Sequence, residues 1–145
     1  MKRLSLVVSV MLVVCVALAA NSVVYVINDV FKAQAIAAGT NAVSEVCDIG
    51  GYKPEGYFSL QLQNTTGVVA YVQVEITNDD ASWVVADLLV QGAYTNRIFE
   101  NFSETSGPSA DGVDLVGISF PLCKSARVRC YATSNSSVTV ALAIQ

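Results

Sequence analysis

The sequence predicts an all-β protein: an antiparallel β-sandwich of jelly-roll type with about seven to nine strands, following an N-terminal hydrophobic segment. Three observations predict it. From residue 56 onward apolar and polar residues alternate with period two. Each alternating run is bounded by a cluster of Gly, Pro, Asn, Asp or Ser. The runs recur at the spacing of short strands within one domain, expected over residues 21–145.

Residues 1–20 stand apart from that domain. Lys2-Arg3 gives a positive start, Leu4 to Val16 an apolar run, and Ala17-Leu18-Ala19 a small-x-small site, the order a signal peptidase reads. Cleavage after Ala19 or Ala20 is expected, and with it export to the extracellular space or the cell surface. The rival is an uncleaved membrane helix over the same segment, which sits at the lower limit of length for spanning a bilayer. Lipidation at Cys15 is disfavoured because Val14, a branched residue, precedes it. Cleavage would make Val23, Val24, Tyr25, Val26 and Ile27 a free, β-prone N-terminal strand able to complete the sheet edge of a neighbouring subunit.

Next come "VFKAQAIAAG" and "AVSEVCDIGG", strands joined at Gly39-Thr40-Asn41, although residues 30 to 38 also fit a short helix. In "GYFSLQLQN", Phe58, Leu60 and Leu62 face one way and Ser59, Gln61 and Gln63 the other. In "GVVAYVQVEITND", Val68, Ala70, Val72, Val74 and Ile76 form one face. The link Asn64-Thr65-Thr66-Gly67 has hairpin chemistry and predicts that these two strands pair. Weaker strands follow at "WVVADLLV" and "NRIFENF". "DLVGISF" then aligns Val116, Ile118 and Phe120, and "ARVRCYAT" sets Val128, Cys130 and Ala132 against Arg127, Arg129 and Tyr131. The last strand carries Val138, Val140, Leu142 and Ile144 on one face, after a second expected hairpin turn at Ser134-Asn135-Ser136-Ser137.

Composition narrows the function. The 145 residues include no histidine, which removes the commonest general base and metal ligand and rules out Ser-His-Asp and Cys-His centres within the chain. Eight basic residues face twelve acidic ones, and loss of Lys2 and Arg3 leaves six against twelve, a surface that repels nucleic acid. Glu100 and Glu104 are paired carboxylates of the kind that glycoside hydrolysis uses, but nothing in the sequence places them across a cleft, so no enzyme is expected.

Four groups of residues remain as candidate sites. Cys47 and Cys123 sit at strand margins, where an exported protein could join them, while Cys130 reads as a small buried hydrophobe. Asp111 and Asp114 flank Gly112 in an oxygen-rich loop that suits calcium, the one cofactor considered; ordinary turn formation accounts for the same residues. Trp83 and Tyr71, with Tyr94 and Tyr131 near them in pattern, suggest a platform for stacking sugars. Arg127 and Arg129 share a strand face, where Glu75 or Asp87 would balance them. Asn64, Asn101 and Asn135 also match the glycosylation motif, on predicted turns.

At "GYFSLQLQ", "VEITNDDASW", "SGPSADGVD", "ARVRCYATS" and "SSVTVALAIQ", the chain resembles small secreted or prophage-type β-sandwich proteins of bacterial genomes, over roughly residues 45 to 145. In those proteins a strand ending in Ser/Thr-Asn-Asp-Gly-x-x-aromatic is followed by an Arg-bearing strand and a final hairpin. The glycine of that turn stands here as Asp80. The resemblance implies a surface or particle-associated structural module and carries no site residue with it. Two functions are therefore expected: an exported self-assembling subunit of a fibre, coat or surface layer, or a module that binds glycans or a surface partner. A pilin-like membrane-anchored subunit is the weaker form of the first, because the chain lacks the Gly-Phe-Thr-Leu-Ile-Glu start of pilins.

Overall fold

The computed structural model describes residues 26–49 and 58–144. In chain order the strands are β1 (Val26–Ile36), β2 (Thr40–Val43), β3 (Cys47–Asp48), β4 (Phe58–Thr66), β5 (Val68–Thr77) and β6 (Val84–Val85). They continue as β7 (Leu88–Val90), β8 (Ala93–Thr95), β9 (Phe102–Ser103), β10 (Val113–Ser119), β11 (Ser125–Ala132) and β12 (Ser136–Ile144). The first sheet has the order β1-β12-β4-β10-β7-β8, and the second β2-β11-β5-β6, with β3 also against β11 and β9 against β5. Every pairing is antiparallel. The sandwich is as expected; the strands beyond seven to nine are pieces of two to four residues that line the sheet edges.

Residues 30–36 belong to strand β1, so the helical option falls. Neither turn with hairpin chemistry makes a hairpin. β4 lies between β12 and β10 in the first sheet, while β5 lies between β11 and β6 in the second. Likewise β11 and β12 occupy different sheets. Turn residues are needed both for a hairpin and for an arch that carries the chain from one sheet to the other, and the sequence at Gly67 or Ser134 does not tell the two apart. Packing decides: an arch lets both flanking strands bury their apolar faces against each other.

Three arches therefore sit side by side at one end, at residues 37–39, at Gly67 and at residues 133–135. They are tied together by Gly39 N donating to Ala132 O (2.9 Å), Thr133 N donating to Val68 O (3.0 Å) and Ala38 N donating to Asn135 Oδ1 (3.0 Å). The strands on either side keep the same order, β1-β12-β4 above β2-β11-β5.

The core fills the gap between the sheets. Leu60, Leu62, Val138, Val140 and Leu142 come from one sheet, and Val69, Val72, Val74, Ala126, Val128 and Cys130 from the other; all are fully buried. Each large side chain in that set stabilises the fold by about 1.5–3 kcal/mol relative to exposure. The face expected for β5 is corrected at its start, where Val69 is buried in place of Val68 and Ala70. A bulge explains it: Tyr131 pairs with Tyr71 but Ala132 pairs with Val69, so Ala70 is an extra residue and the alternation flips there.

Of the expected assembly strand, Val26 and Ile27 pair with Ile144 and Ala143 of the same chain, at the edge of the first sheet. Val23, Val24 and Tyr25, with the expected cleavage site, lie outside the described residues. β1 is an edge strand, interrupted by register shifts around Phe31, with Ala33 at φ 48° donating its N–H to Thr139 Oγ1 (3.1 Å).

Candidate functional site

The outer face of the second sheet gathers both arginines and three of the four aromatic residues singled out above. Because residues alternate across a strand, Arg127, Arg129 and Tyr131 on β11 stand outward beside Glu75, Gln73 and Tyr71 on β5. Glu75 is 5% exposed, and its two carboxylate oxygens each accept from one arginine: Arg127 Nε at 2.7 Å and Arg129 Nε at 2.8 Å. Both arginines thus balance Glu75 rather than Asp87. The Arg127 guanidinium also lies 4.2 Å from the centre of the half-buried Trp83 ring. Further along, Tyr71 and Tyr131 stack with centroids 5.4 Å apart, and Arg97 covers Tyr71 at 4.3 Å.

Tyr131 approaches Tyr71 from β11, and Arg97 approaches from the opposite flank of β5, where Ile98 bridges Val72. The faces of the Tyr71 ring are therefore occupied, and what it presents outward is its rim. Tyr94 is on the other sheet and is 78% exposed, so the four aromatic residues do not form one platform. The arginine row, rather than the rings, is the chemical feature of this face. Its sequence signal is the Arg-x-Arg-x-Tyr alternation with Glu75 or Asp87 as the balancing acid, and the register of β5 on β11 selects Glu75.

At the far end of this face, the Asn78-Asp79-Asp80 loop is a built turn. Asp79 Oδ1 accepts from Ala81 N (2.9 Å), Ser82 N (2.7 Å) and Thr77 Oγ1 (2.8 Å), and these hydrogen bonds hold its carboxyl well below the usual carboxylate range. Asp80 adopts φ 59°, the left-handed conformation that glycine would take at this point. Its side chain compensates, pairing with Lys124 and accepting from Ser125 Oγ at 2.7 Å. Those contacts lower the Asp80 carboxyl and raise the Lys124 amine.

The cysteines do not join. Cys47, Cys123 and Cys130 are all free thiols, which corrects the expected Cys47–Cys123 bond. Cys47 packs in the core at β3, while Cys123 lines a groove of about 490 Å³ with Ile76, Val84 and Leu122. Burial raises all three thiols, and that of Cys130 to about 12. Asp111 and Asp114 border a shallow depression with Ser109 and Leu115, yet each accepts from a backbone N–H close by, Asp111 from Val113 (3.1 Å) and Asp114 from Leu115 (2.7 Å). Among the described residues, no group of three or more Cys, Asp or Glu is placed to hold a metal ion.

The outer face of the first sheet was missed by the sequence reading. Cross-strand register sets Ala141, Gln61 and Leu115 in one row and Ala143, Ser59 and Gly117 in the next, with Ser119, Leu89 and Tyr94 beyond. β4, β7, β8 and β12 contain no charged residue, and the one charge of β10, Asp114, aligns with the inward Leu62; the edge strand β1 carries Asp29, in register beside Ala141, and Lys32. Leu115 (61%), Tyr94 (78%) and Leu89 (37%) stand exposed on this face. The signal was present as strands with no charge even on their polar face.

These features define a two-sheet, all-β sandwich whose sheets carry chemically different outer faces. Its fold is similar to the crystal structure of the SPBc2 prophage-derived protein YomS, with a TM-score of 0.52 and 5% identity, covering 86% of this chain and 100% of that one. The likeness is one of fold, and its prophage source agrees with the prophage-type resemblance read from the sequence. No protein-family profile and no curated protein matches the chain.

Proposed function

We propose that the protein is an exported structural subunit of an extracellular fibre, coat or surface layer, and that it packs against further copies through the outer face of its first sheet. The observation that carries this reading is the stretch of that face formed by β12, β4, β10, β7 and β8, which bears Leu115, Leu89 and Tyr94 and no outward charge, on a chain whose formal charge is −4; the charges of this sheet, Asp29 and Lys32, are on its edge strand β1. Copies of an acidic protein repel one another, and a face without charge is where they can meet without burying an unpaired ion. Three strands roughly 20–30 Å long, β12, β4 and β10, and two of about 10 Å, β7 and β8, spaced about 4.8 Å apart, offer roughly 500 Å² per copy, close to the size at which specific contacts begin.

Self-association of the purified protein, measured by light scattering at rising concentration, tests the reading: Leu115→Arg should abolish it. A monomer at every concentration would defeat the proposal.

A further inference from the structure

We propose that the outer face of the second sheet binds an acidic glycan, through the carboxylates of its sugars and the guanidinium groups of Arg97, Arg127 and Arg129. This goes beyond the packing of copies, since it uses the opposite sheet, which stays open when the first is covered.

The charge balance is the first argument. Three of the chain's eight basic residues lie on this face, with Glu75 between Arg127 and Arg129 and the exposed Asp87 just past β6, which leaves a small local excess of positive charge on a chain of net −4. Asp79 and Asp80 at the far end are engaged in their own turn and with Lys124.

Fixed geometry is the second. Glu75 takes the Nε proton of both Arg127 and Arg129 and also holds Arg129 Nη2 at 2.5 Å, which leaves the Nη groups of Arg127 and the Nη1 of Arg129 outside the clamp, and the two side chains keep 23% and 31% exposure. Trp83 holds Arg127 by its ring, and the Tyr131–Tyr71 stack holds Arg97. A planar guanidinium held in place offers a two-point fork to a carboxylate with little ordering left to do.

Spacing is the third. Arg127 and Arg129 converge on the one Glu75 carboxylate, and Arg97 stands apart from them over Tyr71, so the cations form two separate points along the face, which suits an anion repeated along a chain better than one small ion. The rims of Trp83, Tyr71 and Tyr131 supply apolar edges for the sugar C–H groups between those anions. A nucleic acid is disfavoured, because its dense phosphates would run on to the acidic loops.

The test is titration calorimetry of the purified protein with oligogalacturonate and with its methyl ester, the same sugar without the negative charge. Saturable binding of the acid form, at least tenfold weaker for the ester and for Arg127→Gln or Arg129→Gln, is expected. Arg97→Gln alters an exposed residue that the fold does not need, and should weaken binding about fivefold. Glu75→Gln should also weaken it, because the clamp is lost; tighter binding by that variant would mean loose charge attraction and overturn the fixed-fork account. Equal binding of the ester, no binding of the acid form, or tighter binding of single-stranded DNA or poly-glutamate would overturn the assignment. Light scattering of the same samples reads self-association separately, so either proposal can fail without the other.

Discussion

Gly67 lies against Asn135 so closely that a β carbon on Gly67 would stand 2.2 Å from the Asn135 carbonyl oxygen. Two arches far apart in sequence are thereby locked at the point where the chain changes sheets. Gly67 has φ 73°, and Gly39, in the neighbouring arch, has φ 72° with open space where a β carbon would go. The pair separates backbone strain from collision. Gly39→Ala should cost about 1 kcal/mol from the left-handed conformation alone, and Gly67→Ala about 3 kcal/mol or more, read from urea unfolding.

Asn64 ties the Gly67 arch to a third loop. It is fully buried, donates from Nδ2 to Gly67 O (3.0 Å) and Phe102 O (3.1 Å), and leaves Oδ1 without a partner. Asn64→Ala should lose about 2–3 kcal/mol by stranding those two carbonyls. The motif at Asn64 should stay unmodified in folded protein from a glycosylating host, as peptide mapping would show, since the side chain has no route to an enzyme.

Glu75 serves two arginines, so removal of either side of the cluster has unequal effects. Arg127→Ala or Arg129→Ala leaves Glu75 with one partner, whereas Glu75→Ala leaves two half-buried guanidinium groups with none. Glu75→Ala should cost about 2 kcal/mol and each arginine variant about half that, by thermal or chemical unfolding.

Much of this was readable in advance. The apolar faces of β4, β11 and β12 follow from strict alternation, and Leu60, Val128 and Val140 are buried as the pattern requires. What alternation does not encode is which strand lies beside which. The Gly67 and Ser134 turns read as hairpins because turn chemistry is local, while the choice of an arch depends on strands more than fifty residues away. The Ala70 bulge escaped for the same reason, and the clamp on Glu75 needed the register of β5 on β11. The charge-free stretch of the first sheet escaped because β12, β4 and β10, which form most of it, are far apart in the chain.

Thiol chemistry should follow burial. Desolvation raises the Cys130 thiol to about 12, against 9.0 for a free thiol. With the folded value raised, the stability linked to this group is intact below about pH 9 and is lost as pH rises from there toward 12. Iodoacetamide at pH 8 should label the half-buried Cys123 first and spare Cys47 and Cys130 until the protein unfolds, as mass mapping would reveal.

Sedimentation velocity over a hundredfold concentration range, with wild-type protein and Leu115→Arg side by side, tests the central claim most directly. Leu115 is 61% exposed, so the variant keeps the fold. Wild-type protein should shift to species larger than one chain as concentration rises, and the variant should remain a monomer. A wild-type monomer throughout, or a variant that associates as the wild type does, would contradict assembly through the first sheet.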